Sequence, residues 1–131
     1  MCKLYQALAS LVEARLQCLA SGNNHLGRDC EERANRLVRE RMRGGGRFEG
    51  TRLDWNRSMP NKLVLVTAYL DTGHDGGRTI HTVTVRPDLC LGYRLSVSNS
   101  NRPGIRDFVA ESFRTALDQS EPEELVGIDL H

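Results

Sequence analysis

The chain has 131 residues and a mass of 14.7 kDa, which suits one domain and is short for two. Its 39% hydrophobic and 27% charged residues are typical of a soluble globular protein, and a net charge of +1 excludes attraction to nucleic acid through the overall field. The longest apolar run, Leu63 to Leu70, is too short to span a membrane, and the N-terminus lacks the apolar core of a signal peptide, so we expect a cytoplasmic protein without a membrane partner.

Two antiparallel helices are predicted first, as a hairpin over residues 3–43. Apolar residues recur at helical spacing from Leu4 to Ala20 and again from about His25 to Arg43. Between these segments, Gly22 suits a helix C-terminus and the asparagines after it suit the start of the next helix. Residues 44–46 are consecutive glycines and end the pair, because glycine loses too much backbone entropy in a helix.

The hydrophobic period then changes from that of a helix to that of a strand, which predicts a sheet over residues 47–98. The strands run from Phe48 to Trp55, from Lys62 to Leu70, from Thr79 to Arg86 and from Gly92 to Ser98. We expect Pro87-Asp88 to break the third strand. Because short turns join consecutive strands, the sheet should be an antiparallel four-stranded meander.

A last helix is predicted over residues 102–118, with Pro103 in its first turn, and residues 121–131 form an acidic tail. The element order is therefore ααββββα within a single domain of residues 1–120. We predict the α+β class, with two layers in which the helical hairpin and the C-terminal helix pack on the sheet.

The strand from Lys62 to Leu70 is apolar on both faces, and this leaves two arrangements open. One face carries Leu63, Leu65 and Tyr69, and the other carries Val64, Val66, Ala68 and Leu70. If all the helices cover one face, the other keeps an apolar strip, which usually marks an interface. If the hairpin and the last helix cover opposite faces, the strand is merely central.

An aspartic protease is one catalytic interpretation. Asp71-Thr72-Gly73 follows an apolar strand, as in retroviral enzymes of this kind, and a homodimer would supply the second aspartate that the chemistry needs. Those enzymes are almost all β, however, whereas this chain begins with a helical pair. A glycine-rich hairpin explains the tripeptide without catalysis.

Zinc binding would require His74, His81 and Cys90 to converge with Asp71 or Asp75, but their spacing matches no zinc site. On its strand, His81 alternates with valines, which is typical of a hydrogen-bonded core or edge histidine. The chain also contains no P-loop, nucleophile elbow or dinucleotide-binding glycine motif. We therefore expect no enzyme activity, no metal and no cofactor.

The four cysteines, at positions 2, 18, 30 and 90, form no C-x-x-C pair. Cys18 and Cys30 lie near the adjoining ends of the two N-terminal helices, so a bridge is feasible if both face inward. Reduced thiols are the default in a cytosolic protein, and the sequence leaves the choice open.

Charge is polarised along the chain. Residues 28–47 carry seven arginines against four acids, whereas residues 118–131 carry five acids and no lysine or arginine. The candidate nucleic-acid contacts lie on the polar face of the second helix or just beyond it: Arg36, Arg39, Arg43 and Arg47. The spacing of Glu32 and Arg36 also suits an ordinary helix ion pair, and no aromatic residue interleaves with these arginines as it does in single-strand binders.

Several runs in the chain resemble a group of short uncharacterised proteins encoded by bacterial phages and other mobile elements. The runs are Gly50-Thr51-x-Leu53-Asp54, Lys62-Leu63-Val64, His81-Thr82-Val83-Thr84-Val85-Arg86-Pro87 with Leu89 and Gly92, and Ile105-x-Asp107. The resemblance spans most of residues 4–117, although the hairpin from Asp71 to Arg78 departs from it. It brings no catalytic residues. It implies an orphan protein that acts by occupying a host complex, as anti-CRISPR inhibitors do.

The expected function is therefore that of a non-enzymatic protein-binding module, and more narrowly of an inhibitor of a host defence complex, with a homodimer as a further expectation. The partner would be a host protein or a protein–nucleic-acid complex. A direct nucleic-acid binder is the alternative, and the dimeric aspartic protease is the third. Beside the four arginines, the expected contacts lie in the hairpin loop and the acidic tail: Asp71, His74, Asp75, Glu121, Glu123 and Glu124.

Overall fold

A computed structural model describes residues 3–42, 47–70, 77–88, 92–98 and 103–118 of the chain. These residues form three helices and four strands: α1 (Lys3–Ala20), α2 (Asn24–Arg41), β1 (Phe48–Leu53), β2 (Leu63–Leu70), β3 (Arg78–Asp88), β4 (Gly92–Ser98) and α3 (Pro103–Asp118). The predicted order and the α+β class are confirmed.

The connection between α1 and α2 forms as its residue types predict. Gly22 has a φ of +79°, a left-handed conformation that glycine adopts without steric cost. The side-chain oxygen of Asn23 then accepts a hydrogen bond from the backbone N–H of Leu26 at 3.3 Å and caps α2. The second helix ends at Arg41, ahead of the triple glycine.

The strands form one antiparallel sheet in the order β1-β2-β3-β4, as the meander prediction requires. The register of β1 shifts between Glu49 and Arg52. Gly50 has a φ of +62° there, which is typical of a bulge. As a result of the bulge, Phe48, Thr51 and Leu53 are all buried on one face of the sheet.

The first strand ends at Leu53 rather than at Trp55, because Asp54 begins a turn. Its Oδ1 atom accepts hydrogen bonds from the backbone N–H groups of Asn56 and Arg57 at 3.1 and 3.3 Å. An aspartate that bonds to the backbone two and three residues ahead competes with strand pairing.

The expected break of the third strand at Pro87-Asp88 is wrong, since β3 continues through Pro87 to Asp88. Pairing between β3 and β2 ends where Val85 meets Leu63, so Pro87 pairs only with β4, at Tyr93. A proline has no N–H to donate, and it is tolerated where one side of the strand has no neighbour.

All three helices pack on the same face of the sheet, which selects the first of the two arrangements that the apolar central strand left open. The core joins α1, α2 and α3 to Leu63, Leu65 and Tyr69 of β2. The helices contribute Leu8, Val12, Leu37, Val38, Val109, Phe113 and Leu117, among others. The opposite face of β2, with Val64, Val66, Ala68 and Leu70, has no helix from the described residues against it.

Arg15 of α1 ties the helical hairpin to the turn after β1. Its Nε atom donates to the carboxylate of Glu31 on α2 at 2.6 Å. Its guanidinium lies over the ring of Trp55, 5.2 Å from the centroid. Both contacts depend on the planar, charged end of an arginine.

Candidate protein-binding surface

The face of the sheet that points away from the helices is here called the open face. Alternation along the strands and the pairing register place these described side chains on it: Glu49, Arg52, Val64, Val66, Ala68, Leu70, Arg78, Ile80, Thr82, Thr84, Arg86, Arg94 and Ser96.

An apolar cluster occupies one end of the open face. Ile80 of β3 is directly opposite Ala68 of β2, and Val66 and Leu70 are the diagonal neighbours of Ile80. Ala68 is buried and Val66 and Leu70 are half-buried, whereas Ile80 is 49% exposed. An isoleucine exposed to this degree above other apolar side chains provides a contact point for an apolar group of another molecule.

Arginines border this cluster and continue along the face. Arg52 is opposite Val66, and Arg78 is opposite Leu70. Further along, Arg86 of β3 is directly opposite Arg94 of β4. All four arginines are exposed. The Arg86–Arg94 pair therefore extends the positive charge of the open face beyond the apolar cluster.

The remaining open-face residues are polar and small. Thr84 pairs with Ser96, and Thr82 continues the row of hydroxyls towards the apolar cluster. Among the side chains that the structure describes on this face, none is aromatic and only Glu49 is acidic. An apolar centre with an arginine-rich polar rim is the usual composition of a protein–protein interface.

Of the four arginines predicted as nucleic-acid contacts, the structure describes three. Arg36 and Arg39 are exposed on α2, and within the described residues neither takes part in an ion pair. The expected Glu32–Arg36 pair is therefore not formed there. Arg47 instead lies over the ring of Phe108 on α3, 5.9 Å from its centroid. Arg43 falls outside the described residues.

The predicted contacts in the hairpin loop and the acidic tail lie outside the described residues. They are Asp71, His74, Asp75, Glu121, Glu123 and Glu124. The tripeptide Asp71-Thr72-Gly73 and Cys90 lie outside them as well, so the protease and zinc interpretations remain untested sequence hypotheses. Within the described part of the chain, no group of three or more His, Cys, Asp or Glu side chains is placed to hold a metal ion.

His81 belongs to the core, as its alternation with valines predicts. It is fully buried on the helix-covered face and pairs in register with Thr67. Its Nε2 atom lies 2.7 Å from Oγ1 of Thr79, and its ring meets Tyr69 edge-on at 6.5 Å. Thr67 in turn shares a 2.7 Å hydrogen bond with Thr51. These contacts give His81 a place in a buried polar row, which is a structural role.

A cleft of about 270 Å³ opens between the end of α2, the start of β1 and α3. Met42, Phe48 and Phe108 form its apolar part, and Arg41 and Glu111 bring opposite charges to its rim. No nucleophile and base are paired in this lining set, so nothing in it supports covalent catalysis. The volume is close to the lower limit for a small-molecule pocket, about 300 Å³.

Sequence reasoning missed the open-face arginines. Polar alternation placed Arg94 and Ser96 on the outer side of the fourth strand, but the pairing of Arg86 with Arg94 depends on strand register. Register follows from the turns and from the buried face, and the turn between these strands gives no clear signal in the sequence. The position of Arg52 opposite Val66 also depends on the bulge at Gly50.

Comparison of the chain with protein-family models, curated proteins and solved structures finds no match. Among the described helices, none combines the length and the apolar character needed to cross a membrane.

Proposed function

We propose that the chain is a non-enzymatic protein-binding module and that the open face is its contact surface. One observation carries the proposal: Ile80, 49% exposed, lies above buried and half-buried apolar neighbours on a sheet face that no described helix covers, with exposed arginines around it. The partner that fits is a protein with acidic side chains arranged around an apolar contact point. Burial of the cluster supplies affinity, and the arginine rim supplies orientation and selectivity.

A second copy of the chain fits this face poorly. Two open faces brought together would place the arginines of one copy near those of the other, with Glu49 as the acidic member among the described side chains. Like-charge contacts across an interface cost affinity. Any homodimer should therefore form through another surface.

Nucleic acid also fits this face less well than protein. The described side chains of the open face include no aromatic ring on which a base could stack. The apolar cluster around Ile80 would have no favourable contact with a phosphate backbone. A protein partner makes use of both the apolar and the charged parts of the face.

The experiment compares matched variants in capture from a bacterial lysate, with and without nuclease. Arg86→Glu/Arg94→Glu reverses two charges of the open face, and Ile80→Thr removes the apolar contact while keeping a β-branched residue in the strand. Arg36→Glu/Arg39→Glu reverses the same number of charges on α2 and serves as the control. Circular dichroism and thermal unfolding verify that each variant is folded.

We expect a nuclease-resistant partner that the α2 variant captures as well as the unmodified chain does. Each open-face variant should capture it at least about tenfold less well, since a loss of roughly 1.4 kcal/mol in binding corresponds to tenfold in affinity. Equal capture by the open-face variants would contradict the assignment of the surface. Loss of capture on nuclease treatment would contradict the class of partner.

The narrower role, inhibition of a host defence complex, rests on the sequence resemblance to phage-encoded orphan proteins. In that role the acidic tail would imitate nucleic acid in a basic groove of the host complex. Replacing Glu121, Glu123 and Glu124 together by glutamine should then weaken binding to the captured complex. Unchanged affinity would exclude nucleic-acid mimicry by the tail. It would not bear on the open-face proposal, which the capture experiment tests separately.

Direct nucleic-acid binding is the second candidate, and the exposure of Arg36 and Arg39 without ion pairs in the described structure favours it. Phosphate contacts release counterions, so affinity should fall steeply with salt. A fluorescence-polarisation titration of labelled duplex DNA and single-stranded RNA at low and high salt tests this. Salt-sensitive binding that Arg36→Glu/Arg39→Glu abolishes would support it, and no binding at low salt would exclude it.

A further inference from the structure

Cys18 and Cys30 lie side by side across the α1–α2 hairpin. Cys18 is in the last turn of α1, Cys30 is in the second turn of α2, and both are half-buried, reduced thiols. The sequence left a bridge between them open, on the condition that both face the inside of the hairpin. The contacts around them meet that condition.

Two neighbouring contacts bracket the cysteine pair. One turn before Cys30, a Cβ atom added to Gly27 would lie 3.8 Å from the Cβ of Cys18. One turn before Cys18, Arg15 pairs with Glu31, the residue after Cys30, at 2.6 Å. These two contacts set the register of the helices. Because helical side chains lean towards the N-terminus of their own helix, and the two helices are antiparallel, Cys18 and Cys30 lean towards each other.

The two thiols also interact directly. Burial raises the pKa of the Cys30 thiol, and the charge and the hydrogen bond of Cys18 raise it further. The helices approach each other closely at this point, since a Cβ atom at Gly27 would be in ordinary contact with Leu19 and Cys18. Close approach is what a disulfide needs, because its Cα atoms lie within about 7 Å of each other.

We propose that Cys18 and Cys30 are a redox-responsive modification site that forms an intramolecular disulfide with a peroxide or a small-molecule disulfide as the oxidant. A bond forms between the two Sγ atoms, and the two S–H bonds break. The two protons and two electrons reduce hydrogen peroxide to two water molecules, with cleavage of its O–O bond. With oxidised glutathione, they convert its S–S bond into two thiols.

The disulfide would close a short loop that contains the connection between α1 and α2. The loop also includes Leu19 in the last turn of α1 and Leu26 in the first turn of α2, which are 40% and 47% exposed. Closing a loop of this size restricts the unfolded chain, and we expect the thermal midpoint to rise by roughly 5–10 °C. This inference stands apart from the proposed binding function, because it depends on no residue of the open face.

The test uses the full-length chain with Cys2→Ser and Cys90→Ser, so that Cys18 and Cys30 are the remaining thiols. The reduced protein is treated with hydrogen peroxide or oxidised glutathione, and free thiols, intact mass and tryptic peptides are measured. We expect both thiols to be lost, a mass decrease of about 2 Da for the two hydrogens that leave, and a linkage between peptides 16–28 and 29–33. Reduction should reverse all three changes.

The single variants Cys18→Ser and Cys30→Ser, made in the same background, provide the controls. Each should give only a mixed disulfide with glutathione and should show no rise of the thermal midpoint. The proposal would be overturned if the two-cysteine chain also gave only mixed disulfides, or only covalent dimers. A linked peptide without any rise of the thermal midpoint would overturn the stabilising effect.

Discussion

Replacement of Arg15 by methionine should destabilise the fold by about 2 kcal/mol. A hydrogen bond to a charged group contributes roughly 1.5–3 kcal/mol and a cation–π contact roughly 0.5–1 kcal/mol. Arg15 makes both, with Glu31 at 2.6 Å and with the Trp55 ring at 5.2 Å. The side chains of Arg15 and Glu31 are 14% and 30% exposed, so solvent screening reduces the sum towards its lower end.

The assay is urea or thermal unfolding followed by tryptophan fluorescence, because Trp55 is the single tryptophan of the chain. For a domain of this size, a loss of about 2 kcal/mol corresponds to a fall of roughly 6–10 °C in the thermal midpoint. A double-mutant cycle with Glu31→Gln should give a coupling energy of about 1 kcal/mol. Arg15→Lys should restore only part of the loss, since an ammonium lacks the planar fork.

Arg33→Met is the matched control, because Arg33 is exposed on α2 and joins no ion pair within the described residues. It should change the free energy of unfolding by less than about 0.5 kcal/mol. If Arg15→Met also changed stability by less than this and left the Trp55 emission unaltered, the reasoning about the Arg15 contacts would be refuted.

Two further predictions concern glycine positions and pH. Gly27→Ala should stabilise the protein by about 0.5–1 kcal/mol, because alanine favours the helix interior and its Cβ would meet Leu19 at an ordinary contact distance of 3.4 Å. Gly22→Ala should destabilise the protein instead, because Gly22 has a φ of +79°. Equal thermal unfolding midpoints for the two variants would contradict both expectations. The hydrogen bond from Arg57 holds the pKa of Asp54 below its usual value of 3.8, so ionised Asp54 contributes stability above about pH 4 that is lost as the pH falls through its folded-state pKa. Asp54→Asn, which keeps the turn-forming oxygen, should be less stable than the unmodified chain at neutral pH and should match it in acid; a constant difference across the titration would exclude this.

Most of the fold follows from local patterns. The period change after the triple glycine separates the helices from the strands, and Gly22 and Asn23 mark the helix connection through chemistry that acts within a few residues. Pro87 is the informative failure. A proline usually ends a strand, but here β3 extends past the end of β2. On that side Pro87 has no neighbouring strand, so its missing N–H costs no hydrogen bond of the sheet. That tolerance depends on strand pairing, which the sequence does not reveal locally.

The candidate surface was predictable only in part. Alternation alone shows that the central strand is apolar on both faces, and it raises the question of an uncovered strip. It cannot show that three helices choose the same face, because that choice is made by packing between distant segments such as Val12, Leu65 and Phe113. The opposition of Arg86 and Arg94 likewise depends on register, which is set by the whole sheet.

The pair Cys18 and Cys30, unlike the open face, depends mainly on residues that are close together in the sequence. Both lie close to a short helix connection, so the sequence suffices to bring them near each other. Whether their side chains face each other depends on how each helix is rotated about its axis. The contact between Gly27 and Cys18 and the Arg15–Glu31 pair define that rotation. A few residues of local geometry were enough to decide it.

The most direct test of the open face as the binding surface is thiol labelling at position 49, beside the apolar cluster. Glu49→Cys is placed in a chain whose four native cysteines are replaced by serine, and labelling is followed alone and in complex with the protein captured from lysate. We expect ready labelling of the free chain, since Glu49 is exposed on the open face opposite Ala68, and at least roughly tenfold slower labelling in the complex, as expected for a residue enclosed by an interface. Labelling at the same rate in both states, together with slowed labelling of an Arg36→Cys control, would contradict it.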